Sequence, residues 1–173
     1  QFRQLESLQN LEGLHGLSQL NEFNVIDCDS LLNMTGLESL IQLSRLTVSG
    51  CSGLIDLEGL SSVLDLEYLQ LWGNISLQSL NGFSNVESLA GMRVLDCEAL
   101  TDWAALAEWP QLSFVEIDNC AGLISLAQIG DSSELKDVVI ENCLGFSSLA
   151  EHGNLDQLEE LILRNCPSLA SLT

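Results

Sequence analysis

Residues 43–57 read Leu43-Ser44-Arg45-Leu46-Thr47-Val48-Ser49-Gly50-Cys51-Ser52-Gly53-Leu54-Ile55-Asp56-Leu57, and the spacing of their apolar residues returns along the chain with a period of 23. The cysteines carry that period. Cys28, Cys51, Cys97, Cys120, Cys143 and Cys166 are separated by 23 residues or twice that, with Asn74 in the one vacancy. Counting from the leucine eight residues before each, position 1 is Leu20, Leu43, Leu66, Leu89, Leu112, Leu135 and Leu158. A fixed period in this range decides a fold, because each unit buries its apolar face only by stacking on its neighbours.

Position 4 (Phe23, Leu46, Leu69, Met92, Val115, Val138, Leu161) and position 6 (Val25, Val48, Leu71, Val94, Ile117, Ile140, Leu163) are apolar in every unit, with variable residues between them. This alternation predicts one short strand per unit with one buried face. Positions 12 and 15 lie three apart, as in Leu54 and Leu57 or Leu123 and Leu126, a spacing that suits tight 3₁₀ turns on the return path. The remaining eleven or so residues leave no room for a long helix. Gln1, Phe2 and Arg3 fit positions 5 to 7, so eight strands are expected, spanning roughly 34 Å at ~4.8 Å per gap. The whole chain, 1–173, reads as one domain: a partial first unit over 1–19, then units starting at 20, 43, 66, 89, 112, 135 and 158, the last incomplete.

The unit LxxLxLxxCxxLxxL, intact over Leu43 to Leu57, resembles a leucine-rich repeat along essentially all of the sequence. The Cys-x-x-Leu step is similar to cysteine-containing repeats of plant immune receptors. The segments Gly36-Leu37 to Leu40 and Gly59-Leu60 to Val63 are similar to bacterial surface repeats of the internalin kind. The resemblance implies an α/β solenoid, curved and right-handed, with about eight parallel strands on its concave face and short 3₁₀ or helical turns on its convex face. Such an architecture serves many recognition tasks and does not by itself fix a function.

Composition excludes some partners. The chain carries 25 acidic against 5 basic residues, a formal net charge of −20, so nucleic acid and anionic membrane surfaces are poor partners. No apolar run reaches the ~18–20 residues of a membrane-spanning helix. The six thiols occupy one column and point the same way, which disfavours disulfides, and they lack the close spacing of a metal site. They read as buried thiols satisfying turn backbone in a ladder that Asn74 continues. His15 and His152 are distant from each other, no phosphate or dinucleotide loop is present, and neither a cofactor nor catalysis is expected. Of two Asn-x-Ser/Thr matches, Asn33-Met-Thr35 and Asn74-Ile-Ser76, the second falls in the buried ladder.

Specificity must come from the variable strand positions 2, 3, 5 and 7. All 5 basic residues fall there: Arg3, Arg45, Arg93, Lys136 and Arg164. Two roles fit: relieving repulsion between acids on a crowded sheet, or recognition. Tyr68, Gln70 and Trp72 on one strand, Arg45 before it, and Arg93, Phe114, Glu116 and Lys136 after it make a candidate patch for a polypeptide partner, rich in the Trp, Tyr and Arg of binding hot spots. The other aromatics, Phe2, Phe23, Phe83, Trp103, Trp109 and Phe146, fall in core columns. A glycan ligand, as on a surface adhesin, is a lesser alternative. Another is structural assembly: no polar cap is visible, so Leu5, Leu8 and Leu11 at one end and Leu158, Leu161, Leu163, Leu169 and Leu172 at the other are expected to be uncovered and able to stack end to end, in a longer parent array or in self-association. Ser132 and His152, at usually apolar positions, mark 128–134 and the loop one repeat later as the expected weak region. The acidic, lysine-poor surface suits a secreted or cell-surface protein; a cytoplasmic receptor fragment fits the same composition.

Overall fold

The computed structural model describes residues 1–82, 86–129, 133–149 and 155–172, with the side chains of 107 and 108 left aside. Ser132, His152 and Phe83, singled out above, lie outside the described residues. Eight strands follow in chain order: β1 Phe2–Arg3, β2 Glu22–Ile26, β3 Arg45–Ser49, β4 Tyr68–Trp72, β5 Gly91–Leu95, β6 Phe114–Asp118, β7 Asp137–Glu141 and β8 Glu160–Arg164. They form one parallel sheet in sequence order. Each partner lies 23 residues on, from Phe2 opposite Val25 to Arg164 opposite Glu141, so the register never slips. The result is a solenoid of 23-residue leucine-rich units. Among the described residues no helix is long and apolar enough to cross a membrane.

Period-2 alternation is what places the core. In β3, Leu46 and Val48 are buried while Arg45 is exposed, and the same pattern recurs in β2, β4, β6 and β7. Fully burying a leucine or valine is worth roughly 1.5–3 kcal/mol against leaving it in water. The leucine columns of successive turns merge into one core that also holds Phe23, Trp103, Trp109 and Phe146.

Two further columns make each turn closable. At position 8, just after each strand, φ is positive in Gln4, Asp27, Gly50, Gly73, Asp96, Asn119, Asn142 and Asn165, between 51° and 67°. Glycine enters this left-handed region freely, and Asn and Asp most readily of the rest, which explains the composition of the column. At position 14 a short polar side chain caps the next bend: Asn10, Asn33, Asp56 and Asp102 accept the amides of Glu12, Thr35, Glu58 and Ala104 at 3.0–3.2 Å, and Ser79 Oγ accepts that of Asn81. Asn33, in the first Asn-x-Ser/Thr match, is thereby part of a turn.

The return path comes in two forms. At Gly36 and Gly59, both at position 17 with φ of 111° and 107°, a Cβ would run into the backbone of Leu11 or Met34 one turn below, so these turns lie flat and carry no helix. Where Ala105 and Gln128 take the same position, the chain winds into 3₁₀ helices over Ala104–Glu108 and Leu126–Ile129. Short turns on the return side are thus what the spacing of positions 12 and 15 led to.

The cysteine column is a hydrogen-bond ladder. All six are free thiols. Cys120 Sγ donates to Val94 O at 3.7 Å, Cys143 to Ile117 O at 3.9 Å and Cys166 to Ile140 O at 3.8 Å. Asn74 makes the same link more strongly: it is 0% exposed, its Nδ2 donates to Val48 O at 2.9 Å, and its Oδ1 accepts the Cys51 amide at 3.0 Å. Burial pushes the thiols of Cys51 and Cys143 up to about 11 and that of Cys97 up to about 12. Groups so shifted stay protonated near neutrality and are poor nucleophiles.

Candidate functional site

The parallel register aligns position 3 of four units into one row across the exposed sheet face: Arg45, Tyr68, Gly91 and Phe114. Gly91 interrupts the row. A pocket of about 390 Å³ opens there, lined by Arg45, Glu67, Tyr68, Ala90, Gly91 and Phe114. Gly91 is buried beneath it with the Tyr68 ring laid over its backbone: a Cβ there would sit 2.9 Å from Tyr68 Cδ2 and 3.8 Å from Phe114 Cδ1. Gly91 is absent from the positive-φ glycines, so its backbone conformation does not require glycine; the Tyr68 ring does, since any side chain there would displace it. Glycine inside a strand costs about 0.5–1 kcal/mol relative to alanine, and here that cost lets the Tyr68 ring lie down on the strand.

Position 5 carries the second row, Gln70, Arg93 and Glu116. Arg93 is fixed from two sides: its Nε lies 2.7 Å from Glu116 Oε2, and its guanidinium stacks 5.5 Å from the Phe114 ring centroid. Tyr68 sits half-buried beside it. Burial raises the Tyr68 hydroxyl above its ordinary value, Arg93 and Arg45 pull it back, and Glu116 pushes it up.

Trp72 closes the patch at position 7. Its ring is 52% exposed, yet its Nε1 donates to Asp96 Oδ2 at 2.8 Å. Asp96 is itself held, its Oδ1 accepting Asn119 Nδ2 at 2.8 Å. An exposed indole anchored through two linked side chains has lost rotamer freedom before any partner arrives, which lowers the ordering cost of binding.

The basic residues divide. Arg3 lies 3.9 Å from Asp27, Lys136 3.6 Å from Glu159 and Arg164 2.6 Å from Glu141, each pair spanning neighbouring strands as Arg93–Glu116 does. These four fit the relief of repulsion between acids. Arg45 differs: it is exposed, and among the described residues it has no carboxylate within 4.0 Å. Its cross-strand neighbour Glu22 instead accepts Asn24 Nδ2 at 3.3 Å. Lys136 precedes β7, two strands beyond Arg93, and does not line the pocket.

The expected open ends are partly closed. Leu11 is only 1% exposed, its side chain lying within the stacked core, and its amide bonds Thr35 O of the next turn at 2.8 Å; it is not an end residue. Leu5 is exposed and Leu8 half-buried. Phe2 packs edge-on against Phe23, with centroids 5.2 Å apart. At the other end Leu161 and Leu172 are 37% and 73% exposed, while Leu158, Leu163 and Leu169 are half-buried against the core.

The sequence reading of the patch passes over Glu67, Ala90, Gly91 and Asp96. A signal for the pocket exists: positions 2 and 3 read Asn21-Glu22, Ser44-Arg45, Glu67-Tyr68, Ser113-Phe114, Lys136-Asp137 and Glu159-Glu160, against Ala90-Gly91. Asp96 carries no such mark, since an acid at position 8 is also what the turn alone asks for.

No family model and no curated protein sequence matches the chain. Among solved structures, it is similar to an internalin from Listeria monocytogenes at 16% identity and a TM-score of 0.38, over 84% of this chain. The chain spans 63% of that internalin chain. The repeat fold rests on the unbroken strand register, independently of this likeness.

Proposed function

We propose that this chain is a non-catalytic recognition module that binds a polypeptide partner on its exposed sheet face, through Arg45, Tyr68, Gln70, Trp72, Arg93, Phe114 and Glu116. The carrying observation is a half-exposed tryptophan held by Asp96 beside an arginine stacked on Phe114. Large, pre-ordered aromatic and Arg side chains are the usual anchors of protein interfaces. Lys136 belongs to the outer margin of the surface. Its pairing with Glu159 is solvent-exposed, and such pairs contribute about 0–1 kcal/mol.

The test is affinity capture from the source organism's surface and secreted proteins, with wild type compared against Trp72→Ala/Arg93→Ala. A partner retained by wild type should bind the double variant at least about tenfold more weakly, as expected when hot-spot residues are truncated. Equal affinity for both proteins would reject the patch.

A further inference from the structure

We infer that the pocket floored by Gly91 is the specificity element of this surface, and that it accepts a partner segment with an aromatic side chain between one acidic and one basic residue. This inference rests on the recognition reading above and narrows it to a chemical class. Three observations carry it.

First, Gly91 is a strand glycine without a conformational need, since its φ is not positive. What its missing side chain provides is a seat for the Tyr68 ring, which lies over the buried Gly91 backbone and turns its outer surface, with that of Phe114, toward a partner. The space is an open depression of about 390 Å³, wide enough to seat a single large side chain against its rings. Tyr68 and Phe114 offer ring surface on both sides, the setting in which an inserted aromatic packs best.

Second, the charges at the rim are unspent. Arg45 lines the pocket and has no carboxylate within 4.0 Å among the described residues, although every other Lys or Arg of the chain is paired. An acidic group on the partner would complete it, and a guanidinium pairs a carboxylate with defined geometry.

Third, the pocket continues past Glu67 and Ala90 into a second depression of about 550 Å³, also lined by Glu87, Ser88, Pro110 and Gln111. Glu67 and Glu87 are exposed, and neither has a basic group within 4.0 Å among the described residues. That end favours a cation. Arg45 and Glu67 thus share the rim of the aromatic-lined hollow, with Glu87 further out, and a segment carrying an acid, an aromatic and a base offers a partner to each.

The probes are cyclised hairpin peptides whose tips read Glu-Phe-Lys, Lys-Phe-Lys, Glu-Phe-Glu or Glu-Ala-Lys, titrated into the ¹⁵N-labelled chain. The Glu-Phe-Lys tip should bind about fivefold or more tighter than each of the others, a difference of roughly 1 kcal/mol, and should shift the Ala90 and Gly91 amides. Gly91→Leu, which fills the hollow, should abolish that binding, and Arg45→Glu should turn the preference toward Lys-Phe-Lys. Should Gly91→Leu lose its folded circular dichroism spectrum, Ala90→Arg blocks the same trough from its exposed rim. Equal binding of all four tips, shifts confined to other strands, or binding that survives the blocking variant would overturn the inference. A captured partner that still binds the blocked variant but loses affinity for Trp72→Ala/Arg93→Ala would sink this inference alone; indifference to the Trp72 and Arg93 changes would sink the broader reading.

Discussion

Replacing Asn74 by leucine tests the ladder that holds the turns in register. Asn74 is wholly buried and makes two links to the preceding turn, Nδ2 to Val48 O at 2.9 Å and Oδ1 to the Cys51 amide at 3.0 Å. Leucine is apolar and fills comparable space, but it leaves the Cys51 amide buried without a partner and removes the second donor of the Val48 carbonyl, whose bond in the sheet is kept. An unsatisfied buried group costs about 1–3 kcal/mol and a lost hydrogen bond about 0.5–1.5 kcal/mol, so Asn74→Leu should destabilise the chain by roughly 2–4 kcal/mol. That is a large part of the 5–15 kcal/mol typical of a folded domain. Asn74→Cys should behave differently. A thiol at this position donates to the carbonyl 26 residues back, as Cys120 does to Val94, and faces the amide of the preceding turn, as Cys97 faces that of Asn74. Its cost should stay near 1 kcal/mol, the difference between strong and weak hydrogen bonds. Urea unfolding at pH 7 measures both, with hydrogen exchange of the Cys51 amide as a local readout. A leucine variant within 1 kcal/mol of wild type, or a cysteine variant as damaged as the leucine one, would refute the ladder as a source of stability.

Two further predictions concern titration. The buried thiols of Cys51, Cys97 and Cys143 titrate at about 11 to 12 in the folded chain, against about 8.5 for an unfolded cysteine. The native state keeps its protons where the unfolded state releases them, so stability is intact below about pH 8.5 and falls through the native values by about 1.4 kcal/mol per pH unit for each thiol. The urea midpoint should drop steeply between pH 8 and pH 10, and a flat profile would contradict thiol burial. Tyr68 is the only tyrosine, so phenolate absorbance reports it alone. Its midpoint should lie above the usual value of about 10, rise further in Arg93→Gln and fall in Glu116→Gln; an unmoved midpoint in both variants would show that the three side chains are not clustered.

The solenoid was legible because its physics is periodic. Apolar columns at 4 and 6, and a leucine in every position 1, admit one strand register, and Val25, Val48 and Leu71 are opposed as that spacing demands. The Cys28 to Cys166 column was legible for the same reason, its vacancy at Asn74 included. Positions 8 and 14 went unread although each holds only a few small or polar residue types. Their signal is Asn, Asp, Ser or Gly, residues common in any turn, and the meaning of Asp96 emerges only once its φ of 54° is known. The patch was half legible. Exposed Trp72 and Arg93 on adjacent strands follow from the period alone, but what they bond to depends on side-chain direction: Arg93 bonds across to Glu116, Trp72 bonds sideways to Asp96, and Arg45 has no carboxylate within 4.0 Å among the described residues. Leu11 was misjudged because a count of units ignores how far the following turn overhangs the first. A glycine at position 91 looks like a lapse in pattern until its ordinary backbone and the Tyr68 ring above it show that the omission makes room for that ring.

The invariance of register gives this surface a modular grammar. Each strand pairs only with the next, so the face is written one unit at a time, and a change at one row leaves the spacing of distant rows alone. Copying residues 89–111 in tandem would place a second glycine immediately beside the first on the next strand and widen the hollow sideways, while the Phe114 wall moved one rung further along. Excising those residues would bring Phe114 directly against Tyr68 and erase the hollow without disturbing the stack. Lineages that gain or lose whole units can thus retune what the face grips while the leucines beneath keep the same accounts.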